Sequence, residues 1–437
     1  MSKLHRRASL LLVFQVGANA LVGFLFQRLL ASRFGVSVEK SAFDIAFSIP
    51  FTVMYLSGLT MAHTVIVAYF ARIASRDAGS RSRCFSTILN VSLLMIITMV
   101  AVGLLNVDDL TRILASGFDS TERQLLGHLL QILLPLSIPL GVGMLLSAAS
   151  FASGIPMSQE LLLLMARILV IIAAVGAPHL LVTAADISVF LVICSSILVL
   201  LQATMFSRST GLRWVASIYM SPEDRGWLVS RLSGFLVIAC CAQAAAVYYR
   251  SEGTMVSVGF VAAIGFAVSV IEPIGTAFGR VIVFFSARNQ AHVGDYSANR
   301  LVLNEILRSV VMATMCGGAI AVLFSFASEP IVGLLYSGGK ITAADLRLVA
   351  DTAAVYCWSL PASAASWAIL TFSISQSKYG VAVVYVSGYL AQIVYLRLMG
   401  PGGDGFQLLL GYLIPVWWQA VALTASVLIA SIRIRRD

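Results

Sequence analysis

Long apolar stretches broken by short polar turns recur along the whole chain. A bilayer core takes about 20 apolar residues of helix per crossing. By that measure twelve helical spans are predicted, near 8–31, 42–71, 84–105, 128–152, 157–177, 180–205, 226–249, 254–286, 304–327, 348–374, 379–399 and 405–432. The second and eighth are overlong and hold Pro50 and Pro273, so each is expected to bend. The run from Ala8 to about Ala31 follows Lys3, Arg6 and Arg7 but is too long for a signal-peptide core. No small-residue cleavage pattern follows it, so it is expected to be a retained first span.

The pattern also repeats. Ser116-Gly117-Phe118-Asp119 precedes Ser137-Ile138-Pro139, and Gly338-Gly339-Lys340 precedes Ser359-Leu360-Pro361 222 residues later. Phe151 and Phe372 follow the two copies at similar distances, and Ala71-Arg72 after span two matches Ala287-Arg288 after span eight. An even number of spans separates the copies, so both halves run the same way through the membrane. The expected fold is therefore an all-α polytopic membrane protein of about twelve transmembrane helices. They form two six-helix lobes, 1–210 and 211–437, related by a parallel pseudo-two-fold repeat with a transport cleft between the halves.

Composition sharpens this reading. Hydrophobic residues make up 59% of the chain and charged residues 11%, against about 45–50% and about 25% in soluble domains. Mean hydropathy is +0.92. The net charge of +9 suits topology better than nucleic acid, because no basic run is interleaved with aromatics. With the amino terminus inside, and with Arg231, Arg280, Arg308 and Arg397 at span ends counted with the face they adjoin, 19 of the 29 Lys and Arg residues fall on the cytoplasmic side and eight outside, leaving Arg28 and Arg167 within spans. Both termini are thus expected to be cytoplasmic. The six cysteines lie in or beside apolar segments without CxxC spacing, so they read as small buried hydrophobes, not disulfides or metal ligands. No metal site and no cofactor is expected.

No nucleophile elbow, P-loop, HExxH or dinucleotide loop occurs in a supporting context, so an enzyme is not expected. What remains are ionisable groups within spans, where charge is costly and is usually functional or paired. Arg167, mid-span, is a candidate anchor for an anionic substrate, or a structural ion-pair member. Glu272, beside Pro273, is a candidate cation or Arg167 partner, or a locally capped carboxylate. Arg28 and Asp44 lie towards span ends and read as interfacial residues or as a gate pair. Asp186 and His63 are further candidates for gating or ion coupling, each against a plain packing role. Arg280 reads as a topology signal.

Phe34-Gly35 through Ala42-Phe43, Ala46-Phe47 and Pro50 to Ala71 resembles the start of the MviN/MurJ lipid II flippase family. That family lies within the multidrug/oligosaccharidyl-lipid/polysaccharide exporter superfamily. Gly117-Phe118-Asp119 with Leu130-Gln131-Ile132 and Pro135, Leu335-Tyr336-Ser337-Gly338-Gly339-Lys340-Ile341-Thr342, and Glu272-Pro273 are similar as well. Where the family has Arg-Asp late in the first span, this chain has Phe26-Gln27 with Arg28 beside them. It has Ser41 where the family has Asp, and Met54 and Val268 where the family has Arg. The family usually carries two helices more than the twelve expected here.

The resemblance implies an inner-membrane flippase that moves a polyprenyl-diphosphate-linked glycan, lipid II or a related envelope precursor, by alternating access. Membrane lipids and envelope-glycan biosynthesis enzymes would be its partners. Two other readings stand beside it. One is a cation-coupled multidrug antiporter, which predicts an acid in the first span, where none occurs. The other is a transport-inactive scaffold.

Overall fold

The computed structural model describes the backbone of residues 3–436 except 58, 74, 154–158, 258, 291–299, 367–378 and 401–402, and most of their side chains. Among these residues every regular element is a helix and there is no strand. The first six predicted spans appear as α1 (Lys3–Phe34), α2 (Val38–Leu56) with α3 (Leu59–Arg72), α4 (Ala78–Leu105), α6 (Ser120–Leu133) with α7 (Ser137–Ala152), α8 (Gln159–Gly176) and α9 (Ala184–Thr210). Between α4 and α6 lies a short amphipathic helix, α5 (Val107–Leu114), which buries Val107 and Leu114 and leaves Asp108 and Asp109 in the open. The rest are α10 (Pro222–Val256), α11 (Phe260–Gln290), α12 (Arg300–Tyr336), α13 (Ala343–Tyr356), α14 (described over 359–366), α15 (Tyr379–Met399) and α16 (Gly405–Arg436).

Six of the described helical stretches are long and apolar enough to cross a bilayer, and three shorter ones are apolar. The long ones present large side chains outward, with Leu105 84% and Phe326 87% exposed. Water would penalise such a surface and lipid does not. This is a multi-pass membrane protein.

Neither proline ends its helix. The second span breaks at Ser57, past Pro50, which sits inside α2. Helix α11 runs through Pro273 without interruption. The clear breaks fall instead at the repeated motif. A 3-10 turn, Leu134–Leu136, separates α6 from α7, and a turn at 357–358 separates α13 from α14. Pro139 and Pro361 each stand third in the helix after the break, where a first-turn N–H has no helical partner to lose. Both α6 and α13 also open with capping boxes, Asp119 with Glu122 and Thr342 with Asp345. The duplication seen in the sequence is thus also a duplication of helix starts and breaks. Phe151 and Phe372 have no described side chains.

By contact the chain divides into two compact units. One is Met1–Arg33 with Ser37–Ala244, the other Phe34–Val36 with Ala245–Asp437. This division runs through α10, whereas limits of 1–210 and 211–437 count spans. In the first unit α2 packs on α6, α3 on α7, and α9 on α6, α7 and α8. Leu126, Leu129, Leu130 and Leu133 of α6 are fully buried, the i, i+3, i+4, i+7 stripe of a core-facing helix. In the second unit α11 and α12 pack on α13, and α16 packs on α15, α12 and α13.

The segment 211–221 forms no helix and is strapped along the polar start of α4. Ser82 Oγ accepts the Arg213 N–H, Ser86 Oγ the Val215 N–H, and Asn90 Nδ2 donates to the carbonyls of Val215 and Ser217. The strap ends in a lock. Asp224 is 1% exposed and accepts two hydrogen bonds from Arg76, at 2.7 and 2.9 Å, and a third from Ser221. Beside it Arg72 pairs with Glu223 and covers the ring of Trp227 at 5.7 Å. The carboxylate is buried and the Arg76 guanidinium is partly exposed, so Asp224→Ala is expected to cost about 1–3 kcal/mol, the worth of its charge-assisted hydrogen bonds. Asp109→Ala breaks the open 3.4 Å contact with Arg112 and should cost nothing measurable. Thermal unfolding in detergent checks this, and equal losses in the two variants would refute the lock.

Candidate functional site

In the first unit, Arg167 lies midway along α8 and reaches to α1. Its Nη1 stands 3.3 Å from where a Cβ on Gly23 would be, and its guanidinium carbon lies 5.9 Å from the centroid of Phe26. The absent side chain at Gly23 therefore gives the guanidinium its place. No carboxylate pairs with Arg167 among the described residues, and its buried Nε has no hydrogen-bond partner there. Two amide oxygens elsewhere on α1, Asn19 Oδ1 and Gln27 Oε1, are likewise buried without partners among the described residues. A membrane helix that carries an unneutralised cation bears a cost that an anionic ligand would remove.

The remaining candidates separate. Asp44 pairs with Lys40 one turn earlier on α2, and Arg28 is exposed. Lys40, which lies between the first two predicted spans, is fully buried. Asp186 closes a capping box, accepting the Thr183 N–H at 2.9 Å and its hydroxyl at 2.8 Å. That is a sufficient structural role for Asp186. Nearby, Glu39 caps the same helix by accepting the Ala184 N–H at 2.8 Å. His63 lies in α3 and Arg280 in α11, but both side chains fall outside the described residues.

In the second unit Glu272 stands exposed on α11. Arg250 of α10, Tyr356 of α13 and Tyr412 of α16 lie within electrostatic range of it. Tyr356 Oη and Tyr412 Oη are 2.5 Å apart, with their rings stacked at 4.6 Å. Tyr249 adds a third ring, 5.5 Å from Tyr412, and its hydroxyl has no hydrogen-bond partner among the described residues. Sequence reasoning placed Arg250 in an outside turn and passed over the tyrosines. The doublet Tyr248-Tyr249 directly before Arg250 was the signal available. Such a group of hydroxyls, one cation and one acid can bind polar ligands by hydrogen bonds.

The cysteines are free. Cys194 and Cys357 are buried as expected, but Cys240 and Cys316 are exposed on apolar helices. Among the described residues no cluster of His, Cys, Asp or Glu could hold a metal.

The described residues thus form a duplicated, multi-span helical fold with polar atoms buried without partners inside it. Comparison with known proteins agrees at the level of fold. The chain superposes on lipid II flippase MurJ in an inward closed conformation with a TM-score of 0.75, at 15% identity over 97% of this chain and 90% of that one. A multidrug resistance MATE transporter of the MOP superfamily, inward-facing, gives 0.70 at 12% identity over 96% of each chain. A MOP superfamily transporter from Pyrococcus furiosus gives 0.64 at 13% identity over 97% and 96%. No family model and no curated protein matches the sequence. The fold is therefore that of MurJ and the MATE transporters, carried by a divergent sequence. These neighbours are transporters and flippases, not enzymes.

Proposed function

We propose that this protein is an inner-membrane flippase that exports a polyprenyl-diphosphate-linked glycan by alternating access, with both termini in the cytoplasm. The observation that carries the reading is Arg167, a cation within the first bundle that no described protein carboxylate neutralises. A diphosphate supplies the missing charge, and a guanidinium binds it through short charge-assisted hydrogen bonds. The free amide oxygens of Asn19 and Gln27 suit the hydroxyls of a sugar. The fold likeness to MurJ supports the same substrate class.

Purified protein in vesicles provides the test, with the exposure of a labelled lipid-linked glycan scored on both leaflets. Translocation is expected for a polyprenyl-diphosphate glycan. A fluorescent cationic drug moved on a Na⁺ or H⁺ gradient instead would establish the antiporter reading, which the MATE likeness and the exposed Glu272 favour. Transport of neither substrate would leave a scaffold.

A further inference from the structure

At the end of the first unit where α3, α4, α7 and α9 meet there is a cavity of about 380 Å³, within the size range of small-molecule sites. Phe70 of α3, Ile73 just after that helix and Ala152 of α7 give it an apolar wall. Arg81, Ser153 and Thr210 give it a polar one.

The charge at Arg81 is unlike that of its neighbours. Arg72 and Arg76 are neutralised by Glu223 and Asp224. Arg81 has no ion-pair partner among the described residues, and its Nε is buried without a hydrogen bond there. The hydroxyls are committed differently. Ser153 donates its proton to the Ala149 carbonyl at 2.9 Å and Thr210 donates to the Phe206 carbonyl at 2.8 Å. Facing the cavity, the Ser153 oxygen is therefore an acceptor. The lining thus offers one cation, hydroxyl acceptors and a greasy wall.

The level of the cavity is marked independently. The strap that begins beside it has its backbone tied to α4, and it turns Trp214 (64% exposed), Ile218 and Tyr219 (76% each) outward. Exposed aromatics beside a basic rim mark the headgroup layer of a membrane.

We propose that this cavity binds the head of an anionic phospholipid whose headgroup also carries hydroxyl donors, with phosphatidylglycerol as its representative. The phosphodiester meets the Arg81 guanidinium, a headgroup hydroxyl donates to Ser153, and an acyl chain lies on Phe70, Ile73 and Ala152. The site lies wholly within the first unit and does not depend on the transport reading.

The test uses purified full-length protein in detergent, with lipid binding read by native mass spectrometry and thermal shift. Phosphatidylglycerol is expected to bind about tenfold or more tightly than phosphatidylcholine, the factor one charge-assisted contact supplies. Arg81→Gln should erase that preference, and Arg83→Gln, on an exposed neighbour, should keep it. Ala152→Phe fills the apolar wall and should weaken both lipids while leaving Arg81 in place, so it carries the test if Arg81→Gln does not fold. Equal affinity for the two lipids, or a preference that survives in Arg81→Gln, overturns the proposal. Displacement of phosphatidylglycerol by inorganic phosphate at matching concentration would reassign the cavity to a free anion and overturn the lipid.

Discussion

Arg167→Leu is expected to lower glycan translocation about 30-fold or more, because truncating one partner of a buried charge pair costs about 2–5 kcal/mol. The same variant should unfold at a higher temperature than the parent protein. Arg167 has no described carboxylate partner to lose, so leucine removes a desolvated charge and gives up only the contact with the Phe26 ring. Lost transport with gained stability is the signature of a residue kept for a ligand. A structural arginine would lose both together. Arg28→Leu, on an exposed position of α1, should change transport less than about twofold, as surface replacements away from a site do. Vesicle assays and thermal unfolding on matched preparations read both quantities. An Arg167→Leu protein that transports normally would remove Arg167 from the site.

Gly317→Leu is expected to prevent accumulation of folded protein. A Cβ on Gly317 would sit 2.8 Å from Pro361 Cα and 2.9 Å from Pro361 N. Both are backbone atoms, held where the turn at 357–358 feeds α14, and they cannot swing aside. In a membrane, helices are held largely by close packing across small residues, so the lost approach is not offset elsewhere. Overpacking costs about 1–3 kcal/mol per added group, and a leucine adds several. The adjacent Gly318 meets nothing within 4 Å, so Gly318→Leu should accumulate normally. Fluorescence-detected gel filtration compares the pair, and equal yields would show that the helices part without penalty.

Several features of the site were legible in the chain but were not read. Thr183 with Asp186, Asp119 with Glu122 and Thr342 with Asp345 all have capping-box spacing. Read that way, Asp186 needs no partner beyond its own helix start. Lys40 stands four residues before Asp44, the spacing of a helical ion pair. A search for apolar runs begins a span only where charge stops, so it assigned both Lys40 and Arg250 to turns. Their helices in fact extend past the greasy core, and neighbouring helices supply the burial.

By itself the amino-acid sequence determined the membrane setting, the helical class, the duplication and the candidacy of Arg167. All of these follow from local physics, since an unsatisfied backbone in lipid must be helical and a charge among apolar residues is costly wherever its helix points. Only the tertiary structure decided which charges are neutralised. Asp44 found Lys40, Asp224 found Arg76 across 148 residues, and Arg167 found a glycine and an aromatic ring in place of an acid. Partnership of that kind depends on which helix faces pack together, and no short stretch of sequence records it.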